Sequence, residues 1–599
     1  MTKKRIGSHS FHIPVMGIAF TLDSPIKIAK YGISSVISIV DDFIIEKMNE
    51  YYSNKFEIPY KEISTKVEDY RAKRITSYLN TVDTITKQTF EKLKSSFNEK
   101  SGEFEKYIDM LPDFSELKQS FVKAIQNNTL KEDVNSWAQN NLKLGSIDVN
   151  IMTKLDKVNY NKKEQLPSEF NDAHAALRGF ANSNLESSVV LSAGMNPRLY
   201  SYFENFPDFF PTKKNNLKKK IILKVSDYRS ALIQGKFLAK KGLWVSEYRI
   251  ESGLNCGGHA FASDGYLMGP ILEEFKNQKD DLISDVHNLL VTALESKEKH
   301  VPSSPLDLKI TAQGGIGTSE EHEFLLDNYN IDSVGWGSPF LVVPEATTVD
   351  SETVEILKNA TEKDLYLSDI SPLGVPFNSL RGSTNEIVKN KKIANNNAGS
   401  SCPKKFLVSN TEYTEKAICT ASKKFQRIKL NELSLEDLNS NEYTEKFNAI
   451  TAKTCLCEGL SNAALLKNNI EHKAEEQGVA ICPGPNMAYF TKELSLKEMV
   501  HHIYGKVNVI ATNNRPHMFI KELKMYVDYF SNKVEEVKDS VSKKQEKYLT
   551  NFQSNLNDGI EYYHHLFSSF ETNKETLLSD LERLKEELFN IKVPILVKV

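Results

Sequence analysis

Cysteine is scarce in this chain. Six residues in 599 are too few to frame a protein of this length with disulfides, so they read as free thiols in a reducing compartment. An excess of one charge is lacking as well. Lysine plus arginine number 76 against 79 for aspartate plus glutamate, a net charge of -3. That balance leaves no basic surplus to hold nucleic acid or an anionic membrane surface. No apolar run approaches the ~20 residues needed to cross a bilayer. The opening, MTKKRIGSHSFHIPVMGIAFTLDS, sets basic residues before an apolar run, but His12, Pro14 and Gly17 interrupt it. No small-residue cleavage site follows, so it reads as a buried first strand and not as a secretory leader. Repeat arrays and strongly low-complexity segments are missing too. The expectation is a cytoplasmic globular protein with no nucleic-acid or membrane partner.

What is present is a chain too long for one core, with 40% hydrophobic and 26% charged residues, the values of a soluble globular protein. IPVMGIAF (13–20) is a short apolar run bounded by Pro and Gly, as a buried strand would be. TLDSPIKIAKYG reads as a helix, with Ser24 as cap, Pro25 at the first helical position and Gly32 as stop. ISSVISIV follows as a second strand, which makes a βαβ unit. The rhythm resumes with strands expected at 148–153, 188–193, 218–227, 243–253, 306–317 and 331–343. Several of the eight are followed by a helix, and the count and length fit a (β/α)8 TIM barrel, with a doubly wound open sheet as the alternative.

The expected fold class is therefore α/β: a TIM barrel over 1–42 and 146–360 with three additions. Residues 43–145 form a helical insertion, in which Ile63, Val67, Tyr70, Leu79, Val82 and Ile85 are spaced as one helix face. Residues 361–515, with five of the six cysteines and many turn residues, read as an irregular segment packed on the barrel. Residues 516–599 read as a helical, coiled-coil-like tail, in the form of a hairpin. Leu523, Tyr526, Phe530, Val534, Val537 and Val541 recur at 3–4 spacing, as do Leu577, Leu581, Leu584 and Leu588. Insertion and tail leave a homo-oligomer or a protein partner open.

Ligands of a parallel barrel gather at the C-terminal ends of its strands, and there the glycines fall: Gly257-Gly258, Gly314-Gly315 and Gly335-x-Gly337. Glycine admits a ligand where a Cβ would repel it, and its N–H groups can hold anionic oxygens. Gly turns after two consecutive late strands match the barrel phosphate site, with Ser338 as a further donor. On this view a bulky residue at Gly314 or Gly335 would expel the phosphate and spare the fold. His259, directly behind two glycines in CGGHAF, would project over the barrel mouth with a side chain whose usual pKa of about 6.5 suits proton transfer.

GGH after one strand, AQGGI after the next and G-x-G-S after the last resemble the nitronate monooxygenase family, formerly called 2-nitropropane dioxygenase, whose members are FMN-dependent TIM barrels. VNIM (149–152) resembles its GVN strand and VVLSAGMNP its Ser-Gly-Ala-Gly strand. EYRIESGLNCGGHAF, SPLGVPF (371–377) and CLCEGL (455–460) resemble a bacterial branch related to flavin enoyl reductases. The resemblance covers 10–42 and 146–465. It implies FMN as cofactor, with Met16 and Gly17 against the isoalloxazine and Asn150 on a ring heteroatom. Gly314, Gly315, Gly335, Gly337 and Ser338 would take the phosphate. Lys224, Glu251, Gly257 and Gly258 belong to the same cofactor set, and His259 would be the catalytic residue. Cys256 stands where the family has Ala, and Ala260-Phe261 where the branch has Leu-Gly-Phe, both in the substrate region.

The expected function is an FMN-dependent oxidoreductase that oxidises a small, nitronate-like carbon acid with O2. One alternative is an NAD(P)H-dependent enoyl reductase acting on an unsaturated acyl chain. Another is a non-catalytic barrel that binds partner proteins through its added helices. Lys224, a lone charge in the strand IILKVSD, either stabilises charge at the flavin N1/O2 edge or snorkels out of the rim. Cys402, Cys419, Cys455, Cys457 and Cys482 could supply a four-thiolate site, but their spacing lacks the paired CxxC of zinc ribbons. Buried thiols also pack as small hydrophobes, so no metal is assigned. The pairs His501-His502 and His564-His565 read as solvated helix faces.

Overall fold

The computed structural model describes residues 8–595 apart from 98, 101, 127–133, 193, 472–477, 511, 513 and 539. Ala193, in the expected strand 188–193, and 127–133 of the insertion therefore lie outside the described residues. The eight strands are β1 (Phe11–Ile13), β2 (Ser34–Ser38), β3 (Ile147–Met152), β4 (Ser188–Ser192), β5 (Lys220–Val225), β6 (Val245–Glu251), β7 (Lys309–Gln313) and β8 (Ser333–Gly335). Each runs parallel to its neighbours in chain order, and β8 returns to β1 with Phe11 opposite Val334 and His12 opposite Gly335. That closure makes the sheet a TIM barrel and removes the open-sheet alternative.

The first strand lies earlier than expected. Pro14 has no N–H to continue the ladder, and Gly17 turns the chain with φ +53, so 14–20 are turns and not strand. The next helix, Ser24–Ile28, starts one residue before the expected Pro25. Asp23 takes the N-cap position, and Ser24 instead donates its hydroxyl to Ala346 O at 2.6 Å.

The insertion is helical, and its long helix Tyr70–Lys94 packs on Asp42–Lys55 and on Asp172–Ala181 of the barrel layer. Arg71 and Arg74 fix the crossing by donating to the buried Asp42 carboxylate at 2.6 and 3.0 Å. Ile63 and Val67 precede that helix and do not share its face.

Residues 361–515 are more regular than expected. They hold an antiparallel hairpin, β9 (Leu365–Ser368) and β10 (Phe377–Leu380), and several helices, among them Lys423–Leu433 and Leu456–Lys467. Side-chain caps at Ser383, Ser422, Asn439 and Ser495 start helices where turn residues alone suggested loop.

The tail is three helices, Met518–Glu535, Lys543–Ser568 and Lys574–Asn590, instead of a hairpin. Ser542 and Gln545 form a capping box that restarts the helix, leaving Val537 and Val541 in the connection. Phe530 stacks on Phe552 across the first two. His502 departs from the solvated face expected of it: it is buried, with Nε2 2.9 Å from Gly317 O. Among the described residues no helix is long and apolar enough to cross a membrane.

Within the barrel, Val36, Val190 and Ile222 make a small apolar plug with Val15. Nearer the strand starts, Glu247 accepts from Arg249 Nε at 2.8 Å and from the Thr311 hydroxyl at 2.6 Å. Among the described residues the interior is thus filled below, and a cavity opens toward the C-terminal ends of the strands.

Candidate functional site

The cavity has a volume of about 410 Å³. Every site residue singled out in the sequence lies on its wall: Met16, Gly17, Asn150, Lys224, Glu251, Gly257, Gly258, His259, Gly314, Gly315, Gly335, Gly337 and Ser338. Strand alternation explains the first few. Asn150 and Lys224 sit near the ends of β3 and β5 at inward positions, and Glu251 is the last residue of β6.

Lys224 does not snorkel out of the rim. Its Nζ meets Glu251 Oε2 at 2.6 Å, and Gln313 Nε2 donates to Glu251 Oε1 at 3.2 Å. The wall thus carries a cation fixed by its own carboxylate. The Asn150 side chain is buried, and its Oδ1 has no protein hydrogen-bond partner, an arrangement that costs free energy unless a ligand supplies a donor.

His259 is held from the hairpin. Its Nε2 lies 2.7 Å from Ser371 Oγ, and its ring meets Phe377 edge-on at 4.8 Å. Burial, and next the charge of Lys224, lower its pKa to about 4. The imidazole is therefore neutral at pH 7, but it is a far weaker base than an ordinary histidine. Burial also pushes the Cys256 thiol well up, so it stays protonated.

The glycines have a different reason than expected. A Cβ on Gly314 would stand 2.8 Å from Ser252 Cβ and 2.9 Å from Cys256 Sγ, and one on Gly335 2.7 Å from Gln313 Cβ. On Gly315, with φ +80, it would stand 2.1 Å from Asn255 Nδ2. These positions are small because protein packs against them, so bulky substitution there would damage the fold and not merely expel a ligand. Gly258 and Gly337 differ: nothing lies within 4 Å of a Cβ on Gly258, and the nearest atom to one on Gly337 is Pro14 Cγ at 3.4 Å.

Three parts of the wall were not assigned from sequence. Phe377 comes from SPLGVPF, a motif noticed but given no role, and Ser371 of the same motif stands behind the wall against His259. Leu456, Cys457 and Leu460 come from CLCEGL, at the start of helix Leu456–Lys467, and join Phe406, Leu407, Met152 and Leu155 in an apolar arm. The roof is Cys482–Asn486. Gly258 N donates to Cys482 O at 3.2 Å and Gly484 N to Ser338 Oγ at 2.7 Å, joining the loops after β6 and β8. The Pro-Gly-Pro at 483–485 was a legible turn signal, but nothing local tells that it crosses the barrel mouth.

No protein-family model matches the chain, and no curated protein matches it in sequence. Solved structures similar to it include FabK from Thermotoga maritima, at 12% identity and TM-score 0.37, covering 88% of this chain and 97% of that one. The enoyl reductase domain of MlnA from the macrolactin biosynthesis cluster of Bacillus amyloliquefaciens is similar at 13% identity and TM-score 0.33, covering 75% and 89%. A nitroalkane oxidase from Streptomyces ansochromogenes is similar at 9% identity and TM-score 0.34, covering 83% and 94%.

Proposed function

We propose that the cavity binds flavin mononucleotide and that the protein is an FMN-dependent oxidoreductase. One observation carries this reading: residues spread from Met16 to Ser338 meet on a single wall, where Asn150 Oδ1 is buried without a protein partner. An isoalloxazine has a ring N–H that would satisfy that oxygen. The volume suits a cofactor-sized ligand. Asn150 would hold the ring, with Lys224 as a fixed cation beside it. The Ser338 hydroxyl and the turns at Gly314-Gly315 and Gly337 would face the phosphate. When bound, FMN supplies hydride transfer between an electron donor and a substrate carbon.

The substrate reading that the cavity favours is an unsaturated acyl chain reduced at the expense of NAD(P)H. The apolar arm of Phe406, Leu407, Leu456 and Leu460 offers a chain far more surface than a small carbon acid needs. His259 points the same way. A group with pKa about 4 is a poor base toward a carbon acid at neutral pH, whereas a neutral imidazole can donate a hydrogen bond to an acyl carbonyl. The nitronate-like reading, with O2 as oxidant, makes no use of the arm.

The visible spectrum and released flavin of the purified full chain test the first step, and anaerobic reduction tests the second. Bleaching by NADH or NADPH supports the reductase. Bleaching by a nitronate alone would replace it with the monooxygenase. A colourless protein that takes up no added FMN overturns the flavin reading and leaves a non-catalytic barrel.

A further inference from the structure

Residues 315–317, on the loop after β7, are held by side chains from far along the chain. Gly315 O accepts from Arg515 Nη2 at 2.6 Å and Ile316 O from Asn486 Nδ2 at 2.6 Å, while Gly317 O lies 2.9 Å from His502 Nε2. Gly317 N donates to Glu321 Oε2 at 2.9 Å. Arg515 joins most of this set. Its side chain is buried, and Nε donates to Asn486 Oδ1 at 2.7 Å. Nη1 and Nη2 donate to the two oxygens of the buried Glu321 at 2.7 and 2.9 Å. The guanidinium lies so close behind the loop that a Cβ on Gly317 would stand 2.6 Å from Arg515 Nε.

Peptide geometry turns these anchors into a direction. In a planar trans peptide the carbonyl of one residue and the N–H of the next point to opposite sides. Pinning Gly315 O to Arg515 therefore aims the Ile316 N–H the other way. Gly315 and Ile316 line the cavity and Arg515 does not, so that side is the cavity's. Among the described residues neither the Gly315 N–H nor the Ile316 N–H meets a protein acceptor, a state that a backbone donor leaves by binding water or a ligand. Gly314 and Gly315 hold φ +123 and +80, and successive N–H groups in such a turn make a concavity for anionic oxygens. Glycine is also the residue that strays most freely from one conformation when nothing fixes it. Arg515 further neutralises Glu321, whose carboxylate would otherwise stand uncompensated behind a bound anion.

We infer that Arg515 is a positioning residue, which presets the Gly315–Ile316 turn to hold the phosphate of a phosphate monoester ligand. The inference rests on the flavin reading and adds a dependence to it: the phosphate end of the site is incomplete without a side chain that stands just before the first tail helix, Met518–Glu535. Arg515 itself touches no ligand. It holds the carbonyl side of the turn, and the N–H side binds. Through Asn486 the same guanidinium reaches the roof, so turn and roof are set by one group.

The test compares FMN with riboflavin, which has the same ring and ribityl chain but no phosphate. Affinities are read from flavin fluorescence on titration with the full chain freed of bound flavin. Wild type is expected to prefer FMN on the order of 10²-fold. Arg515→Lys keeps a cation beside Glu321 but loses the fork, and is expected to weaken FMN about tenfold and riboflavin by less than about twofold. Because a buried carboxylate that loses its partner can unfold the chain, a second variant combines Arg515→Met with Glu321→Gln and removes both charges together. It is expected to show the same split. Variants that weaken both flavins equally, or that keep the full preference for FMN, overturn the inference and leave the flavin reading standing. Wild type that binds riboflavin as tightly as FMN overturns it too, since the turn then holds no phosphate. Wild type that binds neither flavin overturns the flavin reading, and the inference with it.

Discussion

Ser252, on the cavity wall just past β6, donates its hydroxyl to Glu522 at 2.5 Å across 270 residues of sequence. The same carboxylate accepts from Met268 N at 3.0 Å and from the Tyr563 hydroxyl at 3.1 Å. A buried acid on the first tail helix thus fixes the loop that carries Cys256 to His259, and burial pushes its pKa up to about 7.

Stability should follow that titration. The folded pKa lies above the unfolded one, so between about pH 4.5 and 7 the folded chain holds a proton that the unfolded chain has released. Stability contributed by this group is present in acid and is lost as pH rises through that window. Glu522→Gln, which keeps three hydrogen-bonding partners, should remove the loss. Denaturant melts at pH 5 and pH 8 are expected to show wild type falling relative to Glu522→Gln by on the order of 3 kcal/mol.

His259 titrates in the opposite sense. Its folded pKa of about 4 lies below the usual 6.5, so it favours folding fully above pH 6.5 and loses that contribution as pH falls toward 4. Between pH 6 and 9 the rate of flavin reduction should therefore carry no inflection from this residue. His259→Asn should keep FMN and slow reduction on the order of 10²-fold or more, measured by stopped flow with flavin occupancy alongside.

Lys224→Met should raise the His259 pKa toward its ordinary value, because Lys224 is the charge that lowers it after burial. Imidazole carbon-proton shifts followed by NMR from pH 3 to 8 read this directly. An unmoved His259 would mean that the cation does not act across the cavity.

Two glycines separate packing from binding. Gly315→Ala adds a Cβ 2.1 Å from Asn255 at a left-handed φ and should destabilise the fold by more than about 1 kcal/mol. Gly337→Ala meets no protein atom closer than 3.4 Å, so its melting temperature should stay near wild type while flavin content falls. The paired measurement is thermal melting and bound flavin per chain.

The barrel was legible because each strand is a short apolar run beside a turn signal, and the site because glycines and polar residues fall where those runs stop. Lys224 stood out as a lone charge in an apolar strand, whereas Asn150 and Glu251 were reached through the family resemblance, and alternation along β3 and β6 accounts for their inward side chains once the strands are known. The reason for the glycines was not legible. Gly315 is small because of Asn255, and no local pattern reports which side chain folds back over a turn. Ser371 and Cys482, more than 100 residues past His259, touch its loop through pairings that periodicity does not encode. The break at Ser542 was written as a capping box, yet the 3–4 spacing on either side concealed it.

The roof over the cavity also sets a timetable. All eight strands have been made by the time Gly335 leaves the ribosome, but Cys482 and Gly484, which join the loops after β6 and β8, are still unborn. At about 5–20 residues per second, a nascent barrel waits several seconds with its mouth open, and longer for Glu522 to seize Ser252. A ligand that needs the roof can be captured only once Gly484 has emerged, so chains stalled before residue 480 should form strands and hold nothing.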